Sequence, residues 1–178
     1  MTTGYWNQLK HIHYIKMQDR HTGLWKYVHD FIKDKGITSC LEVGCGVCSP
    51  VDDWVDDWQG IDLNKNVDCD FHIDFTSELF TELTLSKKDL LLSCSVIEHC
   101  EKYETFLENI SHYNAKWSLI TFFRGWRSNH SVIAKGKGDF YNNRYAQSDI
   151  TNKCEELDLD FSYIRTGRDN ILIIKGKN

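Results

Sequence analysis
The sequence predicts an α/β domain with a doubly wound, mostly parallel seven-stranded sheet, helices on both faces and an antiparallel C-terminal hairpin. Three observations predict it. Short apolar runs of strand length alternate with longer segments whose apolar residues recur at helical spacing. A glycine turn, Gly44-Cys45-Gly46, directly follows the first of those runs. The last two runs are separated only by a short Gly-containing turn, as in an antiparallel pair.

The elements follow in order. Residues 5–20 mix aromatic, basic and His side chains and read as a helix lying on the domain. Leu24, Val28, Phe31 and Ile32 recur at helical spacing, and Gly36 supplies a left-handed stop. A strand is expected over 39–43, then the glycine turn. Ser49 and Pro50 suit the cap and first position of a short helix, because Pro lacks only an N–H that would be unpaired there. Further strands are expected over 59–63, 70–73, 89–94 and 117–123. Tyr103, Phe106, Leu107, Ile110 and Tyr113 line one face of a helix through 100–115. A last helix over 146–157 precedes the strands 161–165 and 170–175. The stretch is read as one domain over 1–178, with N-terminal helices in 1–37 and a long connection, 124–145, as a candidate lid.

Composition limits the partners. A 41% apolar fraction with six Trp, eight Tyr and nine Phe is ample for a packed core. No apolar run approaches the ~18 residues of a membrane span. The first ten residues carry no signal-peptide core, so a cytoplasmic chain is expected. The net charge is −5 and most of the acidity falls in 41–123. That balance argues against a nucleic-acid-coating protein, which needs a broad basic footprint. The basic residues Arg124, Arg127, Lys135, Lys137 and Arg144 cluster in the lid segment. They suit either a solvated loop or a surface for an anionic acceptor. The lone C-x-x-C of Cys45 and Cys48 has no second pair at ligand spacing, so the cysteines read as structural and no metal is expected. The acidic run Asp52–Asp57 is read as complementing a helix N-terminus and facing solvent.

The residues that carry chemistry begin with L-E-V-G-C-G, Leu41 to Gly46, between a predicted strand and a predicted helix. Gly takes positive φ there and, lacking Cβ, lets backbone approach a ligand closely. Glu42 at the strand end can bond a ligand ammonium or hydroxyl. Asp62 ends the next strand, at the distance where an acidic residue accepts both ribose hydroxyls of a nucleoside bound at the sheet's switch point. The same residue also suits a simple turn former.

These strings, with D-F-H-I-D-F and D-L-L-L-S-C-S-V-I-E-H after them, resemble the ordered motifs of the Rossmann-like class I S-adenosyl-L-methionine (SAM)-dependent methyltransferases. The resemblance covers 38–123, and the terminal helix and strand pair is similar to that family's reversed hairpin. It implies SAM as cofactor, with Glu42, Gly44, Cys45 and Gly46 around its methionine part. Asp62 would hold the ribose, Leu63 would lie beside the adenine, and Asp74 with Phe75 would meet the adenine amino group. Ser93 and Ser95 would close the pocket near the sulfonium. Cys48 stands where the family often has a third glycine, so backbone approach is tighter there.

The implied function is O- or N-methylation of a small-molecule acceptor. Two alternatives share the same pocket: a catalytically silent SAM-binding partner or regulatory module, and a SAM-consuming enzyme of non-methyl-transfer chemistry. A base is needed only for an acceptor that arrives protonated, and His99 is the candidate, with a helix-capping imidazole as the other reading. Trp126, Arg127, His130 and Tyr141 in the lid segment are the candidate acceptor contacts, suited to a flat or anionic molecule. Tyr5, Trp6, His11 and His13 are expected to close the opposite side.

Overall fold
A computed structural model describes residues 22–47, 49–123, 132, 141–166 and 169–177. The expected helix over 5–20, most of the lid segment and the residues Trp126, Arg127 and His130 lie outside these.

Helix α1, Thr22–Lys35, ends as its glycine predicts. Gly36 sits at φ 59°, and the Ile37 N–H donates back to the Ile32 carbonyl at 3.0 Å. Strands β1, Ser39–Val43, and β2, Asp57–Ile61, follow. The short helix expected from Ser49 is absent among the described residues. Ser49 Oγ instead donates to the Glu42 carboxylate at 2.6 Å and accepts the Val51 N–H at 3.1 Å. The Trp54 N–H reaches the Val51 carbonyl at 2.9 Å to close one turn, and Asp56 and Asp57 already bond to the Thr38 carbonyl. So little chain remains that packing decides its course, since an isolated helix of a few residues is not stable by itself. Trp54 packs edge-on against Trp25 and His29 of α1. With no helix to complement, the acidic run takes another role at its end: Asp57 pairs with buried Lys88 at 2.7 Å.

The strand expected at 70–73 is reduced to one parallel bridge between Phe71 and Ile61. Its neighbour Asp70 bonds the Gly60 N–H through its side chain at 2.8 Å, and such local bonds compete with a strand ladder. A five-residue helix α2, Glu78–Glu82, was not signalled by the sequence. Then come β3, Leu90–Cys94; a 3₁₀ turn, Ile97–His99; α3, Tyr103–Tyr113; and β4, Trp117–Phe123. Helix α4, Gln147–Glu156, leads into β5, Asp160–Arg165, and β6, Asp169–Lys175.

The six strands lie in the order β2-β1-β3-β4-β6-β5, with β6 antiparallel to both neighbours and the other pairs parallel. The seventh position of the expected sheet is held by the Phe71 bridge alone. Alternate residues of each strand serve opposite layers, as the period of two demands. Leu41, Val43, Leu91, Ile120, Phe122, Leu172 and Ile174 pack with Phe106, Leu107 and Ile110 of α3 and Ile150 of α4. Cys40, Leu90, Leu92, Leu119 and Ile171 pack with Val28, Phe31 and Ile32 of α1 and with Val51. Both faces are therefore covered. No helix among the described residues is long and apolar enough to cross a membrane.

Candidate functional site
β1 has β2 on one side and β3 on the other, so the chain reverses its winding direction at the β1–β3 boundary. In open α/β sheets the crevice beyond the carboxyl ends of the strands at such a point is where ligands bind. The turn after β1 and the end of β3 border that crevice.

Gly44 and Gly46 sit at φ 71° and 65°, where side-chain-bearing residues are strained. A Cβ on Gly44 would stand 2.3 Å from Val96 Cγ2, so this turn passes closely over the segment that follows β3. The Gly44 and Cys45 N–H groups donate to the Ile61 carbonyl at 2.7 and 3.2 Å. The Gly46 N–H donates to Asp62 Oδ2 at 2.9 Å, and the Asn64 N–H to Asp62 Oδ1 at 2.7 Å. The turn and the carboxylate that ends the next strand are thus joined directly. Burial pushes the Asp62 carboxyl up from its ordinary range, while the Asn64 and Gly46 N–H groups oppose this.

Glu42 is 2% exposed. Its Oε2 accepts from Ser49 Oγ at 2.6 Å and from Trp58 Nε1 at 2.9 Å. Burial pushes its carboxyl up to about 7, the two hydrogen bonds pulling the other way. The sequence suggests Ser49 only as a helix cap and gives Trp58 no role, because nothing in the spacing marks either as a partner of Glu42.

Asp74 Oδ1 accepts from the Thr76 N–H at 2.8 Å and the Thr76 hydroxyl at 2.7 Å, a tight turn at the start of the segment leading to α2. Leu63 is half-buried beside Asp62. Phe75 points its ring into the core, 4.4 Å from Phe80 and 4.8 Å from Phe106 between centroids. Its carbonyl accepts from buried Asn109 at 2.6 Å, which ties this loop to α3. Ser93, at the end of β3, is buried, and its hydroxyl has no hydrogen-bond partner among the described residues. Ser95 sits at φ 57° and its N–H donates to the Thr121 carbonyl at 2.8 Å. A side-chain-bearing residue there costs on the order of 1–2 kcal/mol.

His99 ends the 3₁₀ turn, and its Nδ1 lies 2.7 Å from the Tyr141 carbonyl. A carbonyl only accepts, so Nδ1 carries the proton and the neutral ring keeps its lone pair on Nε2. Tyr141 therefore meets His99 through its backbone. The peptide is held in turn by Asn143, whose N–H donates to the Glu98 carbonyl at 2.8 Å and whose Nδ2 donates to the Cys100 carbonyl at 2.6 Å. Tyr145 accepts from the same Nδ2 and donates to Cys100 at 3.2 Å. Asn143 had no sequence signal. Among the described residues no group of three His, Cys, Asp or Glu side chains could hold a metal ion.

The sheet order, the reversed terminal strand and the glycine turn at the switch point define the class I SAM-dependent methyltransferase fold. Solved members of that fold superpose on most of the chain at low sequence identity. Magnesium protoporphyrin IX methyltransferase from Synechocystis PCC 6803, with SAM bound, is 17% identical over 88% of this chain and 80% of its own, with a TM-score of 0.61. The 1,6-didemethyltoxoflavin-N1-methyltransferase of Burkholderia thailandensis, with S-adenosylhomocysteine bound, is 11% identical over 83% and 75%, at 0.61. A SAM-dependent methyltransferase from Clostridium acetobutylicum is 9% identical over 93% and 99%, at 0.63. No family model matches the sequence. No curated protein matches it either.

Proposed function
We propose that this chain binds SAM across the β1–β3 crevice and transfers its methyl group to a small-molecule acceptor, by O- or N-methylation, in the cytoplasm. One observation carries the reading: the Gly46 N–H held 2.9 Å from Asp62 Oδ2 at the switch point of this sheet. It unites the backbone that approaches a ligand with the carboxylate that accepts ribose hydroxyls.

The residues suit the cofactor. An ionised carboxylate offers about four lone-pair sites; the Gly46 and Asn64 N–H groups engage one oxygen each on Asp62 and the Leu63 N–H also bonds it, which leaves capacity for a ribose hydroxyl. The positive-φ glycines and the orphaned Ser93 hydroxyl fit a polar amino-acid tail close to backbone. Leu63 and the 74–75 segment flank the adenine in this reading, with Phe75 anchoring its loop to the core. Glu42, held by Ser49 and Trp58, supports the turn from below.

Bound SAM supplies a methyl group already activated by its sulfonium. The protein's part is to align acceptor and methyl and to exclude water. His99 takes a proton on Nε2 when the acceptor arrives protonated, its ring oriented by the Tyr141 carbonyl. Trp126, Arg127, His130 and Tyr141 are the acceptor contacts in this reading, suited to a flat or anionic molecule. Two structural neighbours, a magnesium protoporphyrin IX methyltransferase and a 1,6-didemethyltoxoflavin-N1-methyltransferase, support a small-molecule acceptor.

Isothermal titration with S-adenosylhomocysteine tests the site. The expected result is saturable binding that Asp62→Ala weakens by ~1–3 kcal/mol, the loss of hydrogen bonds to a charged acceptor. Unchanged affinity in a folded variant overturns the assignment. Methyl-labelled SAM with a metabolite extract then separates transfer, which labels a low-mass product, from silent binding, which labels nothing.

A further inference from the structure
Glu42 stands at the carboxyl end of β1, buried and without a counter-charge. Its neighbours in register are Gly60 on β2 and Leu92 on β3, neither with a polar side chain. Both of its donors, Ser49 Oγ and Trp58 Nε1, converge on the same oxygen, Oε2. No basic side chain among the described residues forms an ion pair with it. The titratable groups around it are Cys40 on its own strand, Cys45 in the glycine turn, Asp52 in the following loop, Asp62 after β2 and Cys94 on β3. None of these five supplies a positive charge. From α1, His29 packs its ring on Trp54, and Lys88, at the opposite end of the sheet, is committed to Asp57.

A buried carboxyl in such surroundings keeps its proton, because ionisation costs desolvation that no cation repays. The proton belongs on Oε1. Oε2 accepts two donors and so takes the part of the carbonyl oxygen, which leaves Ser49 and Trp58 satisfied while the acid is neutral.

We propose that ligand binding is linked to ionisation of Glu42: the ammonium-bearing tail of the ligand supplies the missing positive charge near the end of β1 and drives the Glu42 proton into solvent. This rests on the SAM-binding reading and adds a pH control to it. Only the Oε1–H bond breaks, and the proton passes to the buffer. In the free protein burial holds the carboxyl up at about 7, with Asp52 and Asp62 pushing the same way. A cation nearby lowers it. Below pH 7, binding therefore has to expel a proton, and affinity falls as pH drops; above 7 the group is already ionised and that cost disappears. A return to the ordinary 4.5 in the complex releases about half a proton per ligand at pH 7 and makes binding about tenfold weaker at pH 6 than at pH 8.

The experiment titrates the full chain calorimetrically with S-adenosylhomocysteine at pH 6, 7 and 8, in buffers of different ionisation enthalpy, so that released protons are counted. A second ligand, 5′-methylthioadenosine, keeps the nucleoside and lacks the ammonium. Glu42→Gln, whose amide oxygen still accepts both donors, corrects for titration of the ligand and of Asp62. The wild type should show the proton release and the roughly tenfold pH dependence with S-adenosylhomocysteine, and Glu42→Gln should show neither. With 5′-methylthioadenosine both should vanish in the wild type, a comparison that stands even where Glu42→Gln does not fold. Carboxyl ¹³C spectra of the free protein need no ligand: the Glu42 resonance should titrate near neutrality. A Glu42 already ionised at pH 6 overturns the proposal. So does equal pH dependence in Glu42→Gln, or with the ligand that has no ammonium; either result leaves the SAM reading standing. Failure to bind S-adenosylhomocysteine at any pH sinks the SAM reading, and the linkage with it.

Discussion

At the end of the crevice proposed to hold the nucleoside the contacts are close in sequence: Gly46 meets Asp62 across 16 positions, and Glu42 meets Ser49 across 7 and Trp58 across 16. At the end proposed to face the acceptor they are not. His99 is oriented by a carbonyl 42 positions away, and Asn143 reaches Cys100 across 43. One end is a turn between adjacent parallel strands and is shaped by backbone. The other is two separate connections brought together by packing. A binding turn of the first kind leaves a motif in the chain, because glycine is needed where φ is positive and space is short. A junction of the second kind leaves almost none, since a carbonyl acceptor can belong to any residue.

Breaking the nucleoside end should have the largest effect. Gly44→Ala forces a side chain into φ 71° and against Val96 Cγ2, and we expect a loss of ~2–5 kcal/mol in urea denaturation. Adding Val96→Ala should return part of that loss. A stable Gly44→Ala protein would mean the turn is not the rigid half of the comparison.

Next comes the acceptor end. His99→Ala should cut methyl transfer ~100-fold while leaving S-adenosylhomocysteine affinity in place. A near-normal rate would reduce this end to positioning alone.

Glu42 separates fold from chemistry through pH. Its folded-state value of about 7 stands above the ordinary 4.5, so the native state holds a proton that the unfolded chain has released. The stability it contributes is complete below about 4.5 and is lost as pH rises through 7. Between pH 5 and 8 this amounts to ~2–3 kcal/mol. Glu42→Gln should flatten that slope and equal or exceed the wild type in urea midpoint at pH 8. A slope that persists in the variant would assign it to another group.

The smallest effect is expected for Asn143→Ala. Losing its bonds to Cys100 and Tyr145 should cost ~1–2 kcal/mol of stability. Imidazole ¹⁵N shifts should show His99 moving from one tautomer toward a mixture. An unchanged spectrum would show that the Tyr141 carbonyl holds the ring without help from Asn143.

Much of the architecture was legible because burial leaves a period. Leu90, Leu91 and Leu92 form a continuous apolar run, as a strand covered on both faces requires. The face of α3 and the stop at Gly36 were readable for similar reasons. The segment 49–58 was not, because Ser-Pro followed by acidic residues is a helix start only if enough chain remains to continue it. Here Trp54 and Asp57 had tertiary partners, in α1 and at Lys88, that outweighed a local cap. The strand at 70–73 shrank for a related reason, with an aspartate side chain occupying a ladder donor. Phe75 shows the same limit within the site: next to an acidic residue it reads as a ligand contact, yet its ring belongs to the core.

The amino-acid sequence by itself determined the alternating elements, the glycine turn and the carboxylate one strand later, since local backbone geometry and two-sided burial constrain each residue in place. Only the tertiary structure decided which groups Glu42 and His99 face. Those pairings depend on strand order and on the packing of connections, which place remote residues within hydrogen-bond distance without any periodic trace in the chain.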